Sequence, residues 1–416
     1  MAHKVELLAV GEELLSGHTL NTNAQTLAQA LGTLGLPVRF ETVVGDEPHE
    51  LSAALAVAQG RADILITIGG LGPTADDLTR ETVAGYFGKK LEFHQEILSD
   101  IRAFYESALG LPMPENNRSQ AYLPQGCTML ENPVGTAPGC AFEAEGIHVL
   151  MLPGPPRELA AMLPQALAYL RPLSEEVVVS HDLLTFGVGE SAVEERLRRQ
   201  LPPLEKVTLA TYAKPAEVRV RLTARARSAA QAEALLAPVL SQVREILGEI
   251  VYGEDLSSLE EACLRLCKEA GLTLATAESC TGGEIAQRIT ALPGASQVYR
   301  GGVVSYWSSV KAQVLGVPEA LLEEFGAVSE PVARAMCEGA RAITGADLAV
   351  SVTGVAGPDS DERGNPVGLV FVGLASAEKT YCHRLELGPH RRDRIRAVAA
   401  NHALDMVRRL LTHCQL

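Results

Sequence analysis

The sequence predicts an α/β protein in which two α/β domains are joined by a small α+β module. Three observations carry that expectation. At 416 residues the chain is too long for one core and fits two or three domains. From the start to about residue 170, and again from about 255 to the end, apolar runs of strand length alternate with stretches of helical periodicity. Between about 175 and 252 the pattern changes to alternating strands followed by one long amphipathic stretch.

In the first segment, 1–170, "VELLAVG" (5–11), "VRFETVVG" (38–45), "DILITIGG" (63–70) and "HVLMLPG" (148–154) read as buried strands, each followed by glycine. "NAQTLAQALGTLG" and "HELSAALAVAQG" between them read as helices. That order implies a parallel sheet with helices on both faces, whose ligands gather at the carboxyl ends of the strands. In the middle segment, 175–252, "EVVVSHDLLTFG" is a strand and "ESAVEERLRRQL" a helix. "VTLATYA" and "AEVRVRLTARA" then read as an antiparallel pair, and "AQAEALLAPVLSQVREIL" as a long helix. "SSLEEACLRLCKEAG", with Ser257 or Ser258 as N-cap, leads into the third segment, 255–416. Its strands are "LTLATAES", "VVSYW", "DLAVSVTG", "GLVFVGLAS" and "KTYCHRLEL", closed by a helix from about 391 to 412.

Composition narrows the function. Hydrophobic residues at 47% and charged residues at 21% fit a soluble globular protein. A net charge of −15 argues against a general grip on nucleic acid, while small phosphorylated ligands stay open because backbone N–H groups can bind them. The N-terminal residues do not read as a signal sequence, and no apolar run reaches the ~18 residues of a membrane span, so a cytoplasmic protein is expected. The eight cysteines form no CxxC pair, and Cys263 and Cys267, four apart on a helix, are expected to be structural thiols.

The most informative stretch of the first half is "GGLGPTADDLTRE" (69–81). Gly69, Gly70 and Gly72 keep side chains away from a ligand, and Thr74 is placed to cap a helix beginning near Asp76. The adjacent Asp76 and Asp77 admit two readings: acids favouring a helix dipole, or a ligand for a divalent metal shared with substrate phosphate. Glu12, Glu13, Ser16, Asn21 and Asn23 follow the first strand and Asp46 the second, a polar rim that suits a phosphorylated ligand. No GxGxxG follows the first strand, which leaves dinucleotide redox chemistry with little support.

These residues, with "PGPPREL" (153–159), resemble the N-terminal domain of the CinA family, competence/damage-inducible proteins related to molybdopterin-binding proteins. The resemblance implies an ADP-ribose pyrophosphatase using a divalent metal (magnesium, or cobalt or manganese) helped by potassium. Glu12, Asn21, Gly69, Gly70, Gly72 and Thr74 would then contact substrate, with the metal at Asp46, Asp76 and Asp77. Glu12 stands where the motif often has Asp. The family also describes the middle module as KH-like. RNA-binding KH modules use a GxxG loop. Here "FGVGES" lacks it and brings Glu190, so a structural or dimerising role is expected.

In the third segment, "TAESCTGGEIAQRI" (276–289) places Glu278, Ser279, Cys280, Thr281, Gly282 and Gly283 at a strand end. An amidohydrolase needs a nucleophile, a base and oxyanion donors, and the start of the following helix would supply positive potential. Ser279 or Thr281 acting only as a helix cap is the competing reading, and Cys280 is a rival nucleophile. Tyr306 and Lys311, five apart in "GGVVSYWSSVK", can face one pocket, with Lys311 as base if burial lowers its ordinary value of ~10.4. Arg392 and Arg396 share a helix face suited to phosphate, or are simply solvated.

"TAESCTGG", "GGVVSYWSSVK", "GAVSEPVARAMCEGA", "SVTGVAGPDSDERGNPVGLV" and "HRRDRIRAVAANHAL" resemble the C-terminal CinA domain along nearly its whole length. That resemblance implies a nicotinamide mononucleotide deamidase without a cofactor, with Ser279 as nucleophile, Lys311 as base and Tyr306 as supporting hydroxyl. Glu278, Thr281, Gly282, Gly283, Thr353, Gly354, Arg392 and Arg396 would bind substrate. The whole-chain expectation is a homodimeric, bifunctional pyridine-nucleotide salvage hydrolase. The alternatives are a non-catalytic nucleotide-sensing adaptor linked to competence or DNA damage, or a hydrolase of another amide.

Overall fold

The computed structural model describes residues 3–415. They divide into two compact units, Met1–Val179 with Ala224–Ala234, and Ser180–Thr223 with Leu235–Leu416. The first unit is built on a six-stranded sheet in the spatial order Val38–Val44, Val5–Val10, Ile64–Ile68, Ile147–Leu152, Gly139–Ala144, Thr128–Leu130. The four strands read from the sequence run parallel. The other two are added through antiparallel pairings, Gly139–Ala144 running against the four and Thr128–Leu130 against Gly139–Ala144, which the purely parallel expectation missed. Glu145 and Gly146, both at positive φ (52° and 80°), turn the chain between Ala144 and Ile147. A two-residue loop with both φ positive is a tight hairpin connection, and this one lies just upstream of "HVLMLPG".

Period-2 alternation in two-sided strands explains the layers. Leu8, Val10 and Leu65 face one core with Leu51, Leu55, Val83, Ile97 and Ile101 of the helices Pro48–Gln59, Thr79–Tyr86 and Gln95–Phe104. Leu7, Ile64 and Ile66 face the other with Leu27, Leu31, Leu159 and Met162 of Thr22–Thr33 and Pro156–Leu170. Each such fully buried side chain contributes about 1.5–3 kcal/mol. This two-sided packing fixes the strands so that all four parallel carboxyl ends open on one edge.

In the second unit the five-stranded sheet has the order Tyr299–Val304, Leu274–Glu278, Leu348–Gly354, Leu369–Ala375, Thr380–Glu386. The first three are parallel; Leu369–Ala375 pairs antiparallel with Leu348–Gly354, and Thr380–Glu386 antiparallel with Leu369–Ala375. One face is covered by the helices Leu259–Ala270 and Arg392–Leu411, the other by Glu330–Thr344. Cys263 and Cys267 are fully buried in the first of these cores. The strand expected at "VVSYW" lies earlier, because Gly302 lets its backbone press against the next strand: a Cβ there would sit 2.0 Å from Thr276 Oγ1. Ser305, Tyr306 and Trp307 therefore lie beyond the strand, ahead of the helix Ser308–Leu315.

The middle module is a four-stranded sheet in the order Val207–Lys214, Glu217–Ala226, Val177–Phe186, Val251–Glu254, with the helices Glu190–Gln200 and Ala229–Leu247. Ser258 caps Leu259–Ala270 by accepting from the Glu261 N–H. No helix among the described residues is long and apolar enough to cross a membrane.

Candidate functional site

The central strand Leu274–Glu278 ends at Ser279, whose N–H donates to the Val352 carbonyl at 2.9 Å, while the Ser305 N–H donates to the Glu278 carbonyl at 2.8 Å. These bonds tie the ends of three neighbouring strands together. The chain then turns through Gly282 and Gly283 at φ 63° and 94°, a left-handed path that glycine adopts without steric cost. Glu278 was expected to contact substrate. Its buried carboxylate instead accepts from the N–H groups of Gly283, Ile285 and Ala286 at 2.9–3.1 Å. It thus occupies the start of the helix Glu284–Thr290, the positive end that the sequence reading aimed at the substrate. Among the described residues, the N–H groups of Cys280 and Thr281 donate to no carbonyl.

Lys311 enters from the helix Ser308–Leu315 and is 1% exposed. Its Nζ donates to Ser279 Oγ at 3.1 Å and to the Ser305 carbonyl at 2.6 Å. Burial lowers its pKa to about 8, because desolvation disfavours the ammonium. Cys280 beside it is buried, and burial pushes its thiol up to about 12. Ser279 and Lys311 are thus within hydrogen-bond reach of each other. Tyr306 is more than half exposed, and its hydroxyl accepts from Arg392 Nη2 at 2.9 Å. Among the described residues the group that holds Lys311 in place is the Ser305 carbonyl, and no bond joins Tyr306 to Lys311.

Arg392 also donates to the Gly357 carbonyl at 2.6 Å, and Arg396 to the Thr281 carbonyl at 2.7 Å, with Glu284 3.6 Å away. Both guanidinium groups therefore meet the loops around Ser279. The Thr353 hydroxyl donates to the Ala327 carbonyl, and Gly354 packs tightly, since a Cβ there would lie 2.7 Å from Val370. The side-chain oxygens of Thr281 and Ser305 are buried without a partner. Ser305 was missed from sequence, although it sits at the strand end in "GGVVSYW", where a carbonyl lost to the sheet is free to hold an amine.

The edge formed by the parallel strands of the first unit holds a cavity of about 530 Å³. Asp46, Asp76, Asp77, Gly69, Gly70 and Gly72 line it, joined by Glu13, expected only as part of the polar rim, and by Glu158, which was not singled out. Among the described residues, no lysine, arginine or histidine belongs to the lining. Glu158 is the acid of the motif "PGPPREL" and accepts from Asn132 Nδ2 at 2.7 Å. Glu12, Asn21 and Thr74 are not in the lining. The Glu12 N–H donates to Asp46, and Asn21 caps Thr22–Thr33 while donating to Glu41. Thr74 caps no helix, since the helix starts later at Thr79. Its N–H donates to Asp77 at 2.9 Å and its hydroxyl reaches both Asp76 and Asp77, holding Asp76 below the ordinary carboxylate range.

A divalent cation fits this donor set. Hard carboxylate oxygens suit magnesium, which takes one or two of them plus substrate phosphates. Three glycines make room for the acids: a Cβ on Gly11, Gly72 or Gly135 would lie 2.4–2.6 Å from the carboxylates of Glu13, Asp77 and Glu158 respectively. Among the described residues, however, Asp46, Asp76 and Asp77 do not form a compact three-ligand group. In the middle module, Glu190, the first residue of the helix Glu190–Gln200, accepts from the Thr211 hydroxyl at 2.9 Å.

Comparison with known proteins places these observations in context. The chain matches three family models: a probable molybdopterin binding domain over residues 6–172, the damage-inducible protein CinA KH domain over 180–253, and the CinA C-terminal domain over 256–411. A competence-damage inducible protein of Caldicellulosiruptor saccharolyticus is 43% identical, covering 98% of each chain. A CinA-like protein of Dictyoglomus turgidum is 42% identical with the same coverage. A crystal structure of CinA, of unknown function, from Thermoplasma acidophilum is 36% identical, covering 40% of this chain and 97% of its own, with a TM-score of 0.37.

Proposed function

The chain belongs to the CinA family, and we propose that it is a bifunctional hydrolase of pyridine nucleotides: a serine–lysine amidase in its second unit and a cation-dependent pyrophosphatase in its first. The observation that carries the amidase reading is the 3.1 Å contact between Ser279 Oγ and a buried Lys311 whose pKa lies near 8. A neutral amine has one lone pair and two N–H groups. Its lone pair accepts the Ser279 proton while an N–H stays on the Ser305 carbonyl, which fixes the direction of transfer.

The substrate is nicotinamide mononucleotide, following the family resemblance. Ser279 Oγ attacks the carboxamide carbon as its proton passes to Lys311. The resulting oxyanion is received by the N–H groups of Cys280 and Thr281, donors without a carbonyl partner. Collapse breaks the C–N bond, the Lys311 proton goes to the departing nitrogen, and ammonia leaves an acyl ester on Ser279. Water, giving its proton to the now neutral Lys311, attacks that ester; the bond from the acyl carbon to Ser279 Oγ breaks, the Lys311 proton returns to Oγ, and nicotinate mononucleotide leaves. Arg392 and Arg396 supply positive charge for the nucleotide phosphate.

In the first unit a divalent cation, held by carboxylates such as Asp76, Asp77 and Asp46 with potassium assisting, would neutralise the diphosphate of ADP-ribose and polarise its phosphorus. Glu13 and Glu158 line the same cavity, and the glycines opposite the acids keep the backbone clear of the ligand. The chain acts as a homodimer in this reading. The test is ammonia release from nicotinamide mononucleotide by the intact protein and by Ser279→Ala. Release by the first and not the second is expected, with the acyl ester of nicotinate mononucleotide on Ser279, ribose phosphate still attached, trapped by rapid quench. Release by neither favours a non-catalytic sensing role.

A further inference from the structure

We propose that His181, Glu254 and Asp255 form a binding site for a divalent transition-metal ion of the zinc class in the middle module, distinct from both proposed reaction centres. His181 lies in the strand Val177–Phe186, and Glu254 ends its antiparallel neighbour Val251–Glu254, paired with Leu183. Asp255 follows with φ 54°, which swings its carboxylate back toward that strand. One ligand atom from each residue, an imidazole nitrogen and two carboxylate oxygens, lies within 4.8 Å of the others. Among the described residues no other trio of histidine, cysteine, aspartate and glutamate meets that condition.

One imidazole with two carboxylates is a donor set that zinc, cobalt and nickel accept, leaving a position for water. The second ligand shell is present too. The Asp182 N–H donates to Asp255 Oδ1 at 2.8 Å and so orients the carboxylate. The Asp182 side chain is itself held by Arg221 at 2.7 Å and Arg219 at 3.4 Å. Without metal, His181 Nδ1 shares a proton with Asp255, and Glu254 pairs with Arg244. A dication binds the neutral imidazole at one ring nitrogen, the other nitrogen keeping its proton and any second proton leaving to solvent, and takes over the Glu254 oxygen from Arg244, so that a charge of two plus meets two carboxylates. The ion then clamps the point where the chain leaves this sheet for the helix Leu259–Ala270.

The test uses the full chain, stripped with chelator and titrated with zinc, with bound metal counted by equilibrium dialysis. His181→Gln and Asp255→Asn are each expected to bind one equivalent less than the unsubstituted chain, or to hold it at least about tenfold more weakly. Ions in the N-terminal cavity are common to all and cancel in the difference. Arg244→Met, which removes the competing cation and keeps all three ligands, is expected to tighten binding, a direction that damage to the fold does not produce. Zinc should raise the melting midpoint of the unsubstituted chain further than that of His181→Gln, while ammonia release stays unchanged. Equal stoichiometry and affinity in His181→Gln and the unsubstituted chain, or no tightening in Arg244→Met, would overturn the assignment.

Discussion

The two proposed reaction centres use opposite electrostatics on similar scaffolds. Both sit at the carboxyl ends of parallel strands. Around Ser279 the titratable group that matters is a buried lysine with no carboxylate partner, held by one carbonyl and one hydroxyl. In the N-terminal cavity five acids face the space and, among the described residues, no basic side chain joins the lining. Burial of an unpaired amine makes a base near neutral pH. A concentration of acids around an anionic diphosphate makes a site that needs cations. In the proposed function the same strand-end geometry serves proton transfer in one place and charge neutralisation in the other, and the choice lies in a few side chains.

Replacing Lys311 should separate the centres most sharply. Lys311→Met is expected to lower kcat for ammonia release by about 10²–10⁴-fold, as loss of a general base does, while ADP-ribose cleavage is unchanged. It should also stabilise the second unit. The folded pKa of about 8 lies below the unfolded 10.5, so Lys311 binds fewer protons when folded, and stability is lost as pH falls from about 10.5 to about 8. Below that window the cost is about 3 kcal/mol, so denaturant melts at pH 7 should show Lys311→Met gaining up to that amount, with no gain above about pH 10.5. A loss of stability at pH 7 contradicts the burial account.

Chelation should produce the converse split, abolishing ADP-ribose cleavage and sparing ammonia release. Equal loss of both breaks the comparison. Next in size, Glu158→Gln should weaken manganese binding to the N-terminal cavity by about 10-fold or more, read by calorimetry, and leave the amidase untouched. The smallest effect is expected from Cys280→Ala. Its thiol, pushed to about 12, contributes packing, so stability falls by about 1 kcal/mol while ammonia release is retained.

Much of this was legible in the sequence where periodicity and end signals agree. "VELLAVG" and "DILITIGG" are mostly apolar because their strands are covered on both faces, with Glu6 buried against Arg61, and both helices over Leu27 and Leu55 follow from their spacing. What escaped depends on pairing. The hairpin Gly139–Ala144 with Ile147–Leu152 announces itself only by a short Glu-Gly turn, and the antiparallel edge of the C-terminal sheet has no local signature. At the sites, side-chain types offered Ser279, Cys280 and Lys311, and the resemblance to the CinA C-terminal domain chose Ser279 over Cys280. The carbonyl of Ser305 and the cap that Glu278 forms were hidden, because backbone groups carry no letter and a carboxylate's partner is set by the turn that follows it. Tyr306 shows the same limit: five residues from Lys311 in sequence, its hydroxyl bonds Arg392 from the last helix.

The dependence of kcat/KM on pH for ammonia release from nicotinamide mononucleotide, in the presence of chelator, reaches the serine–lysine claim most directly. A single ascending limb with a midpoint near pH 8, present in Cys280→Ala and absent in Ser279→Ala and Lys311→Met, is the predicted result. A profile flat from about pH 6 to pH 10, or activity that survives in Ser279→Ala and disappears in Cys280→Ala, would contradict it.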